Sequence, residues 1–255
     1  MPKWGRFSNS QQRQGVSLVA IRNYPNNMKL IRTVITLSLF VLFTFSATTT
    51  RGQGTKGHIP FYAEPYYNYD PLKITIGKYK KELLTNDTTE LTILANKIKA
   101  DINNTDIESL YFLSVRLYDL GKKDDAFYWF QTAKSRARIF MNMLEPKKIG
   151  SIGDETFELK QLFITFNQIV GEYLNAYGLN DIDKGLAVFE KVKSEVKDIQ
   201  SYKNVYKKVH FLDDKNLEIE KANKEKDFAQ TTDYIKMHKE EIKKQRIDNG
   251  TQDKY

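Results

Sequence analysis

Thr105 to Leu144 read TDIESLYFLSVRLYDLGKKDDAFYWFQTAKSRARIFMNML, and this stretch decides the fold because periodicity, capping and turn chemistry agree along it. Thr105 and Glu108 make T-x-x-E, the capping-box pattern in which each side chain satisfies the other's exposed backbone donor. A helix is therefore expected from about Asp106. Its apolar residues Ile107, Leu110, Tyr111, Leu113, Leu117, Tyr118 and Leu120 fall on one broad helical face. Gly121 follows, where a left-handed residue commonly ends a helix, and Lys122-Lys123-Asp124-Asp125 supplies a polar turn with acids at the next helix start. The second helix carries Ala126, Phe130, Ala133, Ala137, Phe140 or Met141, and Leu144 along one side, and Pro146 stops it. The stretch thus reads as two antiparallel helices.

These residues resemble a tetratricopeptide repeat. Leu110, Leu113 and the small Ser114 stand in the first helix, Gly121 in the turn, and Ala126, Phe130 and Ala133 in the second, at that motif's spacings. The physical reason is close packing: Ser114, Ala126 and Ala133 let two helices approach while Phe130 fills the space beside them. The pattern departs where the motif would end in proline, since Arg138 stands there. The run Asp125 to Phe130, followed by Arg136 and Arg138, also looks like a segment of bacterial proteins of this helical kind. The resemblance implies an all-α fold of antiparallel hairpins in a solenoid-like arrangement. It also implies that Glu108, Tyr111, Val115 and Tyr118 lie on the concave side, where two tyrosines and an acid suit an extended peptide or a partner's loop. Against this stands the reading that Tyr111 and Tyr118 pack on the preceding helix. Trp129 reads as core or as filler between hairpins.

Downstream of Pro146, a Gly-containing loop leads to Phe157 to Tyr177, with Leu159, Leu162, Phe163, Phe166, Ile169, Val170, Tyr173 and Leu174 at helical spacing. Gly178 to Asp181 makes a turn, and Ile182 to Ile199 follows with Leu186, Phe189, Val192 and Val196 as its stripe. Residues 157–199 thus resemble a degenerate second hairpin, Gly185 and Phe189 being spaced as Ala126 and Phe130 are. Such hairpins would stack so that each covers the other's apolar face. Residues 212–246 read as a charged helical tail with a thin stripe of Leu217, Ala222, Phe228, Tyr234, Ile235 and Ile242. Residues 247–255 have no periodicity and are expected to fray.

Upstream, Asp87-Thr88-Thr89-Glu90 is a second capping signal and opens a helix with Leu91, Leu94, Ala95 and Ile98 on one side, expected to pack on the Thr105 hairpin. Asp70-Pro71 offers an N-cap and a first-turn proline, so the helical domain is set at 71–211. Before it, residues 53–70 carry Pro60 and Pro65 among aromatic residues. This reads either as an extended arm that docks a partner or as a leader packed by its tyrosines onto its own domain. Met28 opens two cations, an apolar run from Thr33 to Phe45 and small polar residues, the layout of a secretory signal peptide over 28–52. That run is shorter than the roughly 20 residues needed to span a bilayer, which favours cleavage over an anchor. Translation is then expected to start at Met28, with 1–27 an upstream extension of the gene model.

The net charge of +8 belongs to this leader: of 40 Lys and Arg, seven fall in residues 1–52, which hold no acids, leaving 33 against 32 acids beyond. The remaining chain is nearly neutral, which argues against nucleic acid as a partner. Without cysteine there are no disulfides, thiolate metal sites, cysteine nucleophiles or lipid-modified cysteine.

His58, His210 and His238 have no second histidine or acid at metal-binding spacing, and no P-loop, G-x-G-x-x-G or G-x-S-x-G occurs. Asp124-Asp125 and Asp213-Asp214 sit at helix starts, where acids favour exposed amides, so they read as capping groups before general acids or bases. Lys203, Lys207 and Lys208 among Tyr202 and Tyr206 read as a solvated face. No cofactor and no metal are expected. The sequence points to an exported, periplasmic or secreted scaffold that binds a protein or peptide, an immunity or inhibitor protein being one form. The other classes are an envelope enzyme acting on cell-wall or surface polymer and a structural component of an envelope complex. The membrane is met only through the signal segment.

Overall fold

The computed structural model describes residues 78–251, all within one compact unit spanning Gln53–Tyr255. The expected signal segment, the aromatic arm and the first part of the helix expected from Asp70 lie outside the described residues. Within them the protein is all-α, with seven helices and no strand. They are α1 (Thr88–Ala100), α2 (Ile107–Asp119), α3 (Lys123–Met143), α4 (Glu155–Gly178), α5 (Ile182–Val196), α6 (Asp214–Met237) and α7 (Lys239–Asp248). Short 3-10 turns stand at Glu82–Leu84, Ile102–Asn104, Pro146–Lys148 and Tyr202–Asn204.

Helix boundaries follow local chemistry. Asp87 caps α1 by accepting from the Thr89 and Glu90 amides at 2.6 and 3.1 Å, and Leu91, Leu94 and Ile98 face the core. At α2 the cap is Asp106, which accepts from Ser109 N at 2.8 Å. The expected Thr105/Glu108 box is not formed. Thr105 Oγ1 donates instead to the Asp101 carbonyl, and Glu108 is drawn inward to Tyr206. Gly121, at φ 79°, ends α2 with Lys122 N donating to Leu117 O and Gly121 N to Tyr118 O, the paired bonds of a Schellman motif. α3 stops at Met143, after which Leu144 forms an antiparallel bridge with Phe211 and Pro146 enters a 3-10 turn.

The structure differs from the sequence reading most at α3. A single apolar stripe is expected there, yet Phe127, Tyr128, Trp129, Gln131, Thr132, Ser135, Arg136 and Ile139 are buried as well as Ala126, Phe130, Ala133, Ala137 and Phe140. A helix buried on all sides is one enclosed by others. α3 packs against α2, α4, α5 and α6. Ring contacts show how: Phe130 lies 6.1 Å from Tyr111 of α2, Phe140 5.2 Å from Phe163 of α4, and Phe127 5.7 Å from Phe189 of α5. The order of hairpins is compatible with a helical-repeat fold, but α3 occupies the centre of the unit.

The second hairpin opens beyond its turn. α4 and α5 approach closely where Gly185 meets Gly178: a Cβ on Gly185 would lie 2.3 Å from the Gly178 carbonyl oxygen. Thereafter α5 packs chiefly on α3 and α6. Gly185→Ala is expected to destabilise the protein by about 1–3 kcal/mol, since backbone cannot yield as a side chain does, despite alanine's better helix propensity. Thermal melting checks this; an unchanged melting temperature would mean the two helices separate at little cost.

α6 and α7 bury Leu217, Phe228, Thr232, Ile235 and Ile242, whereas Ala222 is exposed. The charged segment therefore docks on the helical body through α5 and α3.

Candidate functional site

The four residues expected to face a partner are in the interior. Glu108, Tyr111, Val115 and Tyr118 are 6, 0, 7 and 4% exposed. Tyr111 stacks on Phe166 with ring centroids 4.7 Å apart, and its hydroxyl donates to Asn167 Oδ1 at 2.8 Å. Tyr118 meets Tyr173 edge-on at 6.2 Å, with Lys123 Nζ 5.0 Å from its ring centroid. At Tyr111 and Tyr118 the concave face implied by the repeat resemblance is thus covered by α4, a different helix from the preceding α1 that the sequence offered as the alternative, and Glu108 is met by Tyr206. Trp129, 4% exposed, is core.

A cleft is found on another face of α3. Tyr128, Thr132, Ser135 and Arg136 recur at helical spacing and line a cleft of about 250 Å³. Lys99 at the end of α1, Ile102 in the following turn, and Val192, Glu195, Val196, Asp198 and Ile199 from α5 and its end complete it. The aliphatic residues Val192, Val196 and Ile199 are buried and form its floor. Asn103 ties these elements together: its Nδ2 donates to the Asp198 carbonyl at 2.9 Å, and its Oδ1 accepts from Arg136 Nη2 at 3.1 Å and from Gln200 N at 3.3 Å.

The cleft is a mosaic of charge on an aromatic base. The Tyr128 hydroxyl lies 2.8 and 3.0 Å from the two Glu195 carboxylate oxygens, and Lys99 Nζ is 3.7 Å from Oε1. Lys191 Nζ sits 3.9 Å from the Tyr128 ring centroid and Lys99 Nζ 5.4 Å from it, so two neighbouring cations lie near one ring. Burial, then the Glu195 carboxylate, pushes the Tyr128 phenol above its ordinary range. Burial and the neighbouring Lys99 pull Lys191 down. Arg136 is only 6% exposed, and burial lowers it from its ordinary value. Among the described residues Arg136 has no carboxylate within ion-pair distance, and Asn103 is the acceptor of its guanidinium.

The other residues singled out by sequence take structural places. Asp213 caps α6 through Asn216 N, and Asp124, in the first turn of α3, accepts from the Tyr177 hydroxyl at 2.6 Å. Tyr202 and Tyr206 are buried while Lys203, Lys207 and Lys208 are exposed. His238 Nδ1 lies 3.0 Å from Glu241, His210 is exposed, and His58 is outside the described residues. No group of three potential metal ligands occurs among the described residues, and no helix there is long and apolar enough to cross a membrane.

The cleft's α3 residues all stand in the stretch that decides the fold. Their spacing was visible in the sequence, but such a polar face reads as ordinary solvent exposure until α5 is known to cover it. Comparison of the chain with protein-family models, with curated proteins and with solved structures finds no match.

Proposed function

We propose that the protein is an exported helical scaffold that binds a protein or peptide partner in the periplasm or outside the cell. Its recognition surface is then the cleft between α3 and α5, since the α2 residues first considered are enclosed. The observation carrying this reading is the pair of cations, Lys99 and Lys191, at the Tyr128 ring beside the buried Arg136. A cluster of cations at an aromatic ring, next to guanidinium donors that lack protein acceptors, suits holding a chain segment more than transforming one. An immunity or inhibitor protein is one form such a binder takes.

An envelope enzyme acting on surface polymer, the reading from another class, would need two converging carboxylates free to exchange protons. Glu195 and Asp198 both line the cleft, but Glu195 is engaged by Tyr128 and Lys99.

Affinity capture from the native envelope extract tests the proposal, using residues 53–255 and a Lys99→Glu/Lys191→Glu control. Both lysines are exposed, so the control is expected to fold. One stoichiometric partner, lost on charge reversal, is the expected result. No partner, or one indifferent to the reversal, would remove the cleft from consideration as the recognition surface.

A further inference from the structure

Resting on the reading of this cleft as a recognition site, we propose that it takes one carboxylate of the partner, from an acidic side chain or a chain terminus, on the guanidinium of Arg136. A guanidinium carries five donors in a planar fork, and here one nitrogen, Nη2, has a protein acceptor. A buried cation without a paired anion is costly, and a hydrophobic side chain of similar volume would serve the fold as well or better. The arrangement makes sense when an acceptor arrives from outside.

Size and sign narrow the ligand. A volume of about 250 Å³ lies below the roughly 300–1,000 Å³ of pockets that enclose whole small molecules, so it suits a side chain or a chain end. Lys99 on the cleft's wall and Lys191 at the ring of Tyr128 favour approach of an anion. Glu195 and Asp198 on the facing wall oppose a second negative charge, which selects a monoanionic carboxylate over a phosphate. Planar carboxylate matches the guanidinium fork two bonds at a time.

The test reads the Arg136 Nε–H resonance of the full-length protein during titration with butyrate, its uncharged isostere butyramide, and inorganic phosphate. Saturable binding of butyrate, with butyramide and phosphate weaker by about tenfold or more, is expected. Arg136→Met is expected to abolish the binding while leaving the melting temperature unchanged or higher, as relief of an unpaired buried charge would produce. Should that variant fail to fold, Arg136→Lys keeps the charge and loses the fork, and is expected to weaken butyrate by about tenfold. Two capped tripeptides, one with an internal glutamate and an amidated end, the other neutral with a free terminus, distinguish the two sources of carboxylate. Butyramide or phosphate binding as tightly as butyrate, butyrate binding that survives loss of Arg136, or no butyrate binding would each overturn the assignment. The two readings fail separately. Partner capture without butyrate binding sinks only the carboxylate, and butyrate binding without capture sinks only the scaffold.

Discussion

Phe140→Ala is expected to lower the folding stability by about 3–5 kcal/mol, at the upper end for a buried aromatic residue. Phe140 is fully buried, and four rings from two parts of the chain surround it: Phe163 at 5.2 Å from α4, and Tyr202 at 5.6 Å, Tyr206 at 4.9 Å and Phe211 at 5.2 Å from the segment before α6. The cost of such a deletion depends on whether the neighbours can move into the space. Here they are tied. The Tyr202 hydroxyl donates to the Arg136 carbonyl at 2.9 Å, Tyr206 is bonded to Glu108 and Ile107, and Phe211 is fixed by its bridge to Leu144. Against a typical total stability of about 5–15 kcal/mol, the loss would leave the variant near its unfolding threshold. Urea denaturation measures it, and a loss below about 1 kcal/mol would mean that the ring cluster collapses freely around the gap.

That cluster also marks the limit of what is legible from local pattern. The ends of α2 and α3 are readable because their signals lie within a few residues: Gly121 supplies the left-handed turn, and Pro146 follows the last turn of α3. The burial of α3 on every side is not readable in that way. Gln131, Thr132, Ser135 and Arg136 look like a polar face, and they are covered by chain far away in sequence: Gln131 Nε2 donates to Asn175 and Arg136 Nη2 to Asn103, 44 and 33 residues off. Tyr202 bonds back to Arg136 and Tyr128 forward to Glu195, while Asn103 holds the end of α5 across 95 residues. Periodicity reports that a helix has faces, but it does not report what arrives to cover them.

The same limit explains the misplaced site. Glu108, Tyr111, Val115 and Tyr118 share a face that an open stack of repeats would expose. Phe166 and Tyr173 of α4 close over Tyr111 and Tyr118, and the segment carrying Tyr206 closes over Glu108. Leucines, tyrosines and small residues at repeat spacing fix how two helices meet. They leave open whether the next pair stacks at the end or wraps the side. The cleft was half visible, in the recurrence of Tyr128 and Arg136 two turns apart, and its acid arrives from α5.

Folding stability is expected to fall by about 3 kcal/mol as the pH rises from 4.5 to above 7, through one residue, Glu108. Its carboxyl is 6% exposed, accepts from the Tyr206 hydroxyl at 2.5 Å, and is pushed up from its ordinary 4.5 to about 7. Burial is the main cause and the nearby Asp106 carboxylate the next, with Glu155 of α4 adding to it; the Tyr206 bond pulls the other way but is too weak to offset them. Below 4.5 the group is protonated in folded and unfolded chains alike and contributes nothing. Between 4.5 and about 7 the unfolded chain has released its proton while the folded one retains it, so each rise in pH favours unfolding. Above about 7 the folded chain carries a buried carboxylate and the penalty is complete. The Tyr206 phenol, raised by burial and by Glu108, keeps its proton throughout and continues to donate. Glu108→Gln preserves an acceptor for that hydroxyl and cannot ionise, so it is expected to flatten the stability profile between pH 4.5 and 8. Urea midpoints across that range give the slope, which separates this effect from any constant cost of the amide's extra donors. A wild-type slope that persists in the Gln variant would assign the titration to another group. Tyr206→Phe provides the converse: it strands both the Ile107 amide, 2.7 Å from the phenol oxygen, and the Glu108 carboxyl, and is expected to cost about 1–3 kcal/mol even at low pH, where Glu108 is neutral in both states.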